Sequence, residues 1–221
     1  CVAAPGTADG KLTPEAIRAV CAAHPDEHMV QPKLVYISNT TEVGGVYTGA
    51  ELAAIRKVCD ELGLLLYLDG ARLGSALAAG GATLTELGAM CDVFSIGGTK
   101  NGALFGEAVC IQNPAIAEDF RYIMKQRGGM LAKGWLLGIQ FEQLMQDGLY
   151  VELAAHANGL ALRLREGIAA LGYGFSCDSP SNQQFPILPD RVLAKLRGDF
   201  HWEEMGKPDA EHTAIRLVTS W

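Results

Sequence analysis

Three side chains suited to chemistry stand at the ends of two predicted strands. Asp69 closes the apolar run "LLLYLD", Arg72 follows it in "LDGARLGSAL", and Lys100 lies in the glycine-rich stretch "SIGGTKNGALFGE". Ligands bind beyond the carboxyl ends of parallel strands, and a lysine that glycines bring close to a ligand is a candidate nucleophile. Taken singly, each residue has a plainer interpretation: a helix cap for Asp69, a surface ion pair for Arg72 and a solvated loop residue for Lys100.

The elements that position these residues alternate between helix and strand. Thr48 with Glu51, and Thr83 with Glu86, form capping-box patterns that predict two helix starts, and Gly63 predicts the end of the first helix. Strands are predicted in "PKLVYIS", "LLLYLD" and "DVFSIGG", with a strand pair bent at a glycine in "ALFGEAVCIQ". This alternation predicts an α/β fold with a mostly parallel sheet that helices cover on both faces.

The second half of the chain predicts a second, smaller unit. One helix is expected in "NPAIAEDFRYIMKQ", another in "KGWLLGIQFEQLMQDG", and a long one from Tyr150 to Leu171 that links two domains. Beyond it, "YGFSC", "NQQFPILP", "DRVLAKLRG" and "AIRLVTS" predict a strand, a strand, a helix and a strand. We therefore expect residues 1–149 to belong to one domain and residues 150–221 to comprise a linker helix and part of an α+β domain.

Composition narrows the class of ligand. The 221 residues carry a net charge of −7 without a cluster of lysine and arginine, which argues against nucleic acid or an anionic membrane as the partner and favours a small molecule. No apolar run approaches the roughly 20 residues that a membrane span needs. The six cysteines are scattered without a C-x-x-C motif or a histidine at ligand spacing, so we expect reduced thiols in a cytoplasmic protein and no metal site.

Four segments, taken in order, resemble a known family. "VYISNTTEVGGVYT", "LDGARLGSAL", "SIGGTKNGALFGEAV" and "KQRGGMLAKG" are similar to segments of the bacterial low-specificity L-threonine aldolases, in the β-eliminating lyase group of fold-type I pyridoxal 5'-phosphate (PLP) enzymes. The resemblance runs from about Pro32 to Trp221. It implies that residues 1–149 are part of the PLP-binding large domain, whose N-terminal part is missing from this sequence, and that residues 150–221 contain part of the small domain.

The resemblance also implies roles for five residues. Asp69 would pair with the pyridine nitrogen of PLP and keep that nitrogen protonated, and Lys100, preceded by Thr99 in the cofactor site, would bind the cofactor covalently. Arg72 would bind either the 3-oxygen of the cofactor or the substrate carboxylate, and Arg216 in "AIRLVTSW" would bind the α-carboxylate through a bidentate pair. The implied reaction cleaves L-threonine or L-allo-threonine to glycine and an aldehyde.

Two alternatives stay open at this point. Another PLP-dependent β-elimination would use the same aspartate and lysine, because a fold does not determine a reaction. The other alternative is a cofactor-free fragment without activity, which associates through its exposed sheet edges and apolar faces.

The resemblance to the family also implies a homodimer or homotetramer.

Overall fold

The computed structural model describes all residues, 1–221, as nine helices and eight strands. In chain order the elements are α1 (Pro14–Ala22), β1 (Leu34–Ser38), α2 (Gly49–Leu62), β2 (Leu65–Asp69), α3 (Leu73–Ala78), α4 (Leu84–Met90), β3 (Val93–Gly97), β4 (Glu107–Ile111), α5 (Pro114–Ala117), α6 (Phe120–Gln126), α7 (Trp135–Leu144), α8 (Leu149–Ala170), β5 (Gln183–Gln184), β6 (Ile187–Pro189), α9 (Asp190–Leu196), β7 (Glu203–Gly206) and β8 (His212–Val218). No helix combines the length and the apolar content required to cross a membrane.

A four-stranded sheet forms the larger unit, in the order β1-β2-β3-β4. β1, β2 and β3 run parallel, and β4 is antiparallel to β3, so the predicted mostly parallel sheet is confirmed. Alternate residues of β1, β2 and β3 point into the main hydrophobic core, where they meet apolar residues of α1, α2, α3, α4 and α8. The sheet residues of this core are Val35, Ile37, Leu66, Leu68, Phe94 and Ile96.

The predicted helix starts are confirmed at the level of individual hydrogen bonds. Thr48 with Glu51 and Thr83 with Glu86 each form a complete capping box at the start of α2 and α4. Gly63 ends α2 in the left-handed conformation, at φ 65°, which a residue without a side chain adopts at little cost. These local signals place both helices, and therefore the strands that follow them.

The second face of this sheet differs from the expectation. Leu34 and Tyr36 on β1 and Val109 on β4 are about half exposed, at 51%, 54% and 48%. The predicted cover on both faces is therefore met at β3, where all five residues are buried, but not at the outer strands β1 and β4. Continuous apolar runs such as "LLLYL" predict burial on both sides, and they do not reveal which side is covered.

A second, smaller sheet forms around β8. β5, β6 and β7 all pair with β8 antiparallel, and Leu188, Leu193 and Ile215 make a separate small core there. α8 packs against α3 of the larger unit and against β5 of the smaller one. The long helix predicted from Tyr150 to Leu171 is present as α8, and it contacts elements of both units.

Five details of the secondary structure were predicted wrongly. The segment "NQQFPILP", predicted as one strand, forms the two strands β5 and β6, which Phe185 and Pro186 separate. The "ALFGEAVCIQ" segment forms only β4, and "YGFSC" forms only an isolated bridge between Phe175 and Pro186. β7 was missed because "EEMG" has no apolar alternation and forms a strand by pairing with β8. The helix predicted over residues 113–126 is divided into α5 and α6 by Asp119, which has a φ of 56°.

Candidate functional site

Asp69 is the last residue of β2, and hydrogen-bond donors hold both of its carboxylate oxygens. The backbone N–H of Ala71 donates to Oδ1 at 3.0 Å, and the hydroxyl of Tyr36 donates to Oδ2. Tyr36 lies opposite Tyr67 in the β1–β2 register, and their rings stack with centroids 5.6 Å apart. The hydrogen bond to Asp69, together with burial, raises the pKa of Tyr36 to about 12, so the phenol stays protonated and remains a donor. The orientation of the carboxylate is therefore fixed.

The turn after β2 lies directly against the end of β3. The N–H of Gly97 donates to the carbonyl of Gly70 at 2.9 Å, and the N–H of Gly70 donates to Ser95 Oγ at 3.0 Å. A Cβ atom on Gly70 would lie 2.0 Å from the carbonyl oxygen of Ser95, which no real Cβ tolerates. Glycine is therefore required for this contact, which brings the Asp69 turn beside the loop that carries Lys100.

The loop that carries Lys100 is anchored on both sides of the lysine. The N–H groups of Asn101 and Ala103 both donate to the carbonyl of Gly98, at 2.8 and 3.0 Å. Asn101 is buried and its Nδ2 donates to the carbonyl of Tyr150 at 2.7 Å, whereas Thr99 and Lys100 are exposed. The lysine is thus presented to solvent from a backbone that its neighbours fix.

Tyr150, the second residue of α8, connects the end of β3 to the start of α3. Its hydroxyl donates to the carbonyl of Gly97 at 2.8 Å and accepts from the N–H of Gly74 at 3.2 Å. The residue is 2% exposed, and this burial raises the pKa of Tyr150, so that its hydroxyl remains a donor. The sequence marked Tyr150 only as the start of the long helix, so this role was missed.

Two guanidinium groups lie near each other at the same edge. Arg72 occupies the N-cap position of α3 without a side-chain capping hydrogen bond, and its Nε is buried without a hydrogen-bond partner. Burial lowers the pKa of Arg72, and the positive charge of Arg216 on β8 lowers it further. The carboxylates of Glu203 and Glu42 pair with Arg216, at 3.8 Å for Glu42, and no salt bridge engages Arg72.

The loop after β1 connects Arg216 to the Asp69 edge. The N–H of Asn39 donates to the carbonyl of Asp69 at 2.9 Å. Gln183 Nε2 lies 3.4 Å from the hydroxyl of Thr40, and Gln183 Oε1 accepts from Arg216 Nη1 at 3.4 Å. A chain of contacts therefore runs from β2 through the β1 loop to β8.

The structure brings the elements that carry all five predicted site residues to one edge of the larger sheet. Four polar residues that contact them were missed: Tyr36, Glu42, Gln183 and Glu203. The sequence contained a signal for Tyr36. This residue stands two positions before the end of β1, and in a parallel pair it faces the same side of the sheet as Asp69, the last residue of β2. No local signal marked Glu203, since β7 itself was not predicted.

Comparisons with known proteins show which family the chain resembles over most of its length. The model of the Beta-eliminating lyase family matches residues 1–185. A low-specificity L-threonine aldolase of a Pseudomonas species is 45% identical over 191 residues, and that of Pseudomonas aeruginosa is 42% identical over 191 residues; each match covers 85% of this chain and 55% of the relative. A solved threonine aldolase of Leishmania major is 48% identical with a TM-score of 0.95, covering 100% of this chain and 65% of the other.

These matches confirm both the fold and the resemblance. The architecture is the predicted one of fold-type I PLP enzymes, with a mostly parallel sheet in an α/β unit. The chain spans about half the length of the curated relatives it matches. With the family model matching from the first residue through β5, the chain belongs to the β-eliminating lyase family.

Proposed function

We propose that the protein cleaves L-threonine and L-allo-threonine, and related β-hydroxy amino acids, to glycine and an aldehyde with PLP as cofactor. One observation carries the proposal: a carboxylate, a lysine loop and two guanidinium groups meet at the carboxyl edge of parallel strands. The names of the relatives support the choice of reaction.

The residues present fit a cofactor that has an anionic substituent and a basic ring nitrogen. Arg72 has a buried Nε without a partner, and such an atom is costly unless a ligand or water satisfies it. Asp69 is held in one orientation by two donors, as required of a carboxylate that pairs with a protonated pyridine. Lys100 is exposed on a fixed loop beside the Asp69 turn, so its amine is open to the aldehyde of a cofactor bound there. When bound, PLP would supply the electron sink for the charge left on Cα.

In this proposal each of the five site residues has a defined role. The carboxylate of Asp69 accepts the hydrogen bond of the ring N–H and holds the proton on that nitrogen. Arg216 binds the α-carboxylate of the substrate in a bidentate pair, and Arg72 binds the cofactor's 3-oxygen or the same carboxylate. Lys100 carries the cofactor, and Thr99 contributes to the cofactor site beside it.

The test of the proposed reaction is product analysis after incubation of the purified protein with PLP and L-threonine, and in parallel with PLP and a β-substituted amino acid. We expect glycine and acetaldehyde in equal amounts, because breaking the bond between Cα and Cβ yields both. Ammonia with an α-keto acid, formed from a β-substituted amino acid while threonine stays intact, would instead establish β-elimination. Absence of any product would favour the cofactor-free alternative.

We also propose a homodimer or homotetramer as the functional assembly. α6 and α7 carry large apolar side chains that are exposed, with Tyr122 at 78%, Trp135 at 62% and Ile139 at 54%. Apolar surface of this kind on adjacent elements is typical of a protein interface. Sedimentation equilibrium at micromolar concentration should give at least twice the chain mass of 23.5 kDa, and a monomer would contradict the proposal.

We propose the cytoplasm as the location of the protein. All six cysteines are free, including the buried Cys59 and Cys91. Burial raises the pKa of both thiols, to about 11 and about 12, so they stay protonated and unreactive at neutral pH. A disulfide found in protein that was alkylated before isolation would contradict this location.

A further inference from the structure

The guanidinium of Arg216 is paired with a carboxylate of the same chain, that of Glu203. β7 and β8 pair antiparallel, and Glu203 and Arg216 stand directly opposite each other in the register. The Glu203 carboxylate accepts a hydrogen bond from Arg216 Nη2 and forms a salt bridge with it. Glu42, from the loop after β1, adds a second carboxylate 3.8 Å from Nη1.

The exposure of the partners is unequal. The Arg216 side chain is 20% exposed, whereas the side chains of Glu203 and Glu42 are 57% and 79% exposed. Gln183 is buried and accepts from Nη1 at 3.4 Å, so the guanidinium is held from the protein side. Arg216 is therefore the more buried member of both pairs, and the two glutamates are the solvent-exposed members.

A bidentate carboxylate needs two N–H groups of one guanidinium at the same time. Each Nη carries two N–H groups, so an incoming carboxylate that uses both Nη atoms must share Nη2 with the Glu203 carboxylate or displace it, and Gln183 and Glu42 already lie at Nη1. Glu203 can move into water at small cost, because an exposed ion pair contributes little net stability. A weak, displaceable contact of this kind lowers ligand affinity without blocking the site.

We propose that Glu203 competes with the α-carboxylate of the substrate for Arg216 and thereby sets the affinity for amino acids. The inference rests on the proposed function, since it takes Arg216 as the carboxylate-binding residue. Glu203 would also disfavour substrates with a second carboxylate, because its negative charge stays near the site after displacement. The preferred class is then β-hydroxy amino acids with uncharged side chains.

The matched pair of variants is Glu203→Gln and Glu204→Gln. Both remove one negative charge from the same strand, but Glu204 pairs with Arg197 at 2.8 Å and stands opposite Ile215. For Glu203→Gln we expect the KM for L-threonine to fall about three- to tenfold with kcat unchanged, since an amide is a weaker partner for a guanidinium than a carboxylate is. For Glu204→Gln we expect no change in either constant. Glycine should also bind Glu203→Gln more tightly at equilibrium, by the same factor as the KM falls.

The possible outcomes separate this inference from the proposed function. A KM that is unchanged or raised in Glu203→Gln, while the parent protein cleaves threonine, would overturn the inference alone and would indicate that Glu203 orients Arg216. An equal fall of KM in both variants would indicate a general charge effect and would also overturn it. If the parent protein neither binds glycine nor cleaves threonine, both proposals fail together.

Discussion

Lys100→Arg is expected to abolish covalent attachment of PLP and to lower the rate of threonine cleavage by about a thousandfold or more. A guanidinium keeps the positive charge and nearly the length of the lysine, but it stays protonated and cannot act as the nucleophile toward the cofactor aldehyde. Removal of a residue that forms the covalent link to the reacting group typically costs at least this much. Loss of the absorption band of lysine-bound PLP, followed with the rate of glycine formation, measures the effect.

The fold of this variant should be intact, because Lys100 is exposed and its loop is fixed by the backbone of Gly98 and by the buried Asn101. Lys57→Arg, at an exposed position on α2 within the helical layer, is the control and should bind PLP and cleave threonine as the parent does. Retention of the PLP band in Lys100→Arg would mean that another amine carries the cofactor.

Gly70→Ala is expected to destabilise the protein by about 3 kcal/mol and to weaken PLP binding as well. The added methyl group would lie 2.0 Å from the carbonyl oxygen of Ser95 and 3.0 Å from Cβ of Leu73. The first of these atoms belongs to the backbone of a buried strand, so the turn itself must move, and Asp69 moves with it. Urea unfolding followed by circular dichroism gives the change in free energy of unfolding, and titration with PLP gives the change in affinity.

Gly159→Ala provides the control for this prediction. Gly159 lies inside α8, and a Cβ atom there would meet no heavy atom within 4 Å. Alanine should therefore stabilise the protein by about 0.5–1 kcal/mol, because it lowers the entropy of the unfolded chain and favours helix. A destabilisation of similar size in both variants would show that the close contact between Gly70 and Ser95 is not the cause.

Local signals in the sequence were sufficient for much of the larger unit. Capping boxes and a glycine terminator are interactions within one helix turn, so Thr48, Glu51 and Gly63 indicate the bounds of α2 without knowledge of the rest of the chain. A strand that ends in a carboxylate also predicts the position of Asp69, since parallel strands present their carboxyl ends at one edge.

Local sequence signals do not predict contacts between segments that are distant in the chain. The hydroxyl of Tyr150 donates to the carbonyl of Gly97, which lies 53 residues earlier in the chain. Glu203 belongs to a strand only because β7 pairs with β8. Asp119 interrupts a helix by taking a positive φ, a conformation that aspartate adopts more often than most residues but that few aspartates have, so the residue type alone does not predict it. The residues around Arg216 come from the loop after β1, from β5 and from β7, and no local pattern indicates that these segments meet.

The most direct measurement is the mass of the protein after incubation with PLP and reduction with borohydride, followed by mapping of the modified peptide. We expect one pyridoxyl adduct per chain, on Lys100, because this lysine is exposed on the loop that lies against the Asp69 turn. An adduct spread over several surface lysines, or no adduct under conditions in which the chain is folded, would contradict the account.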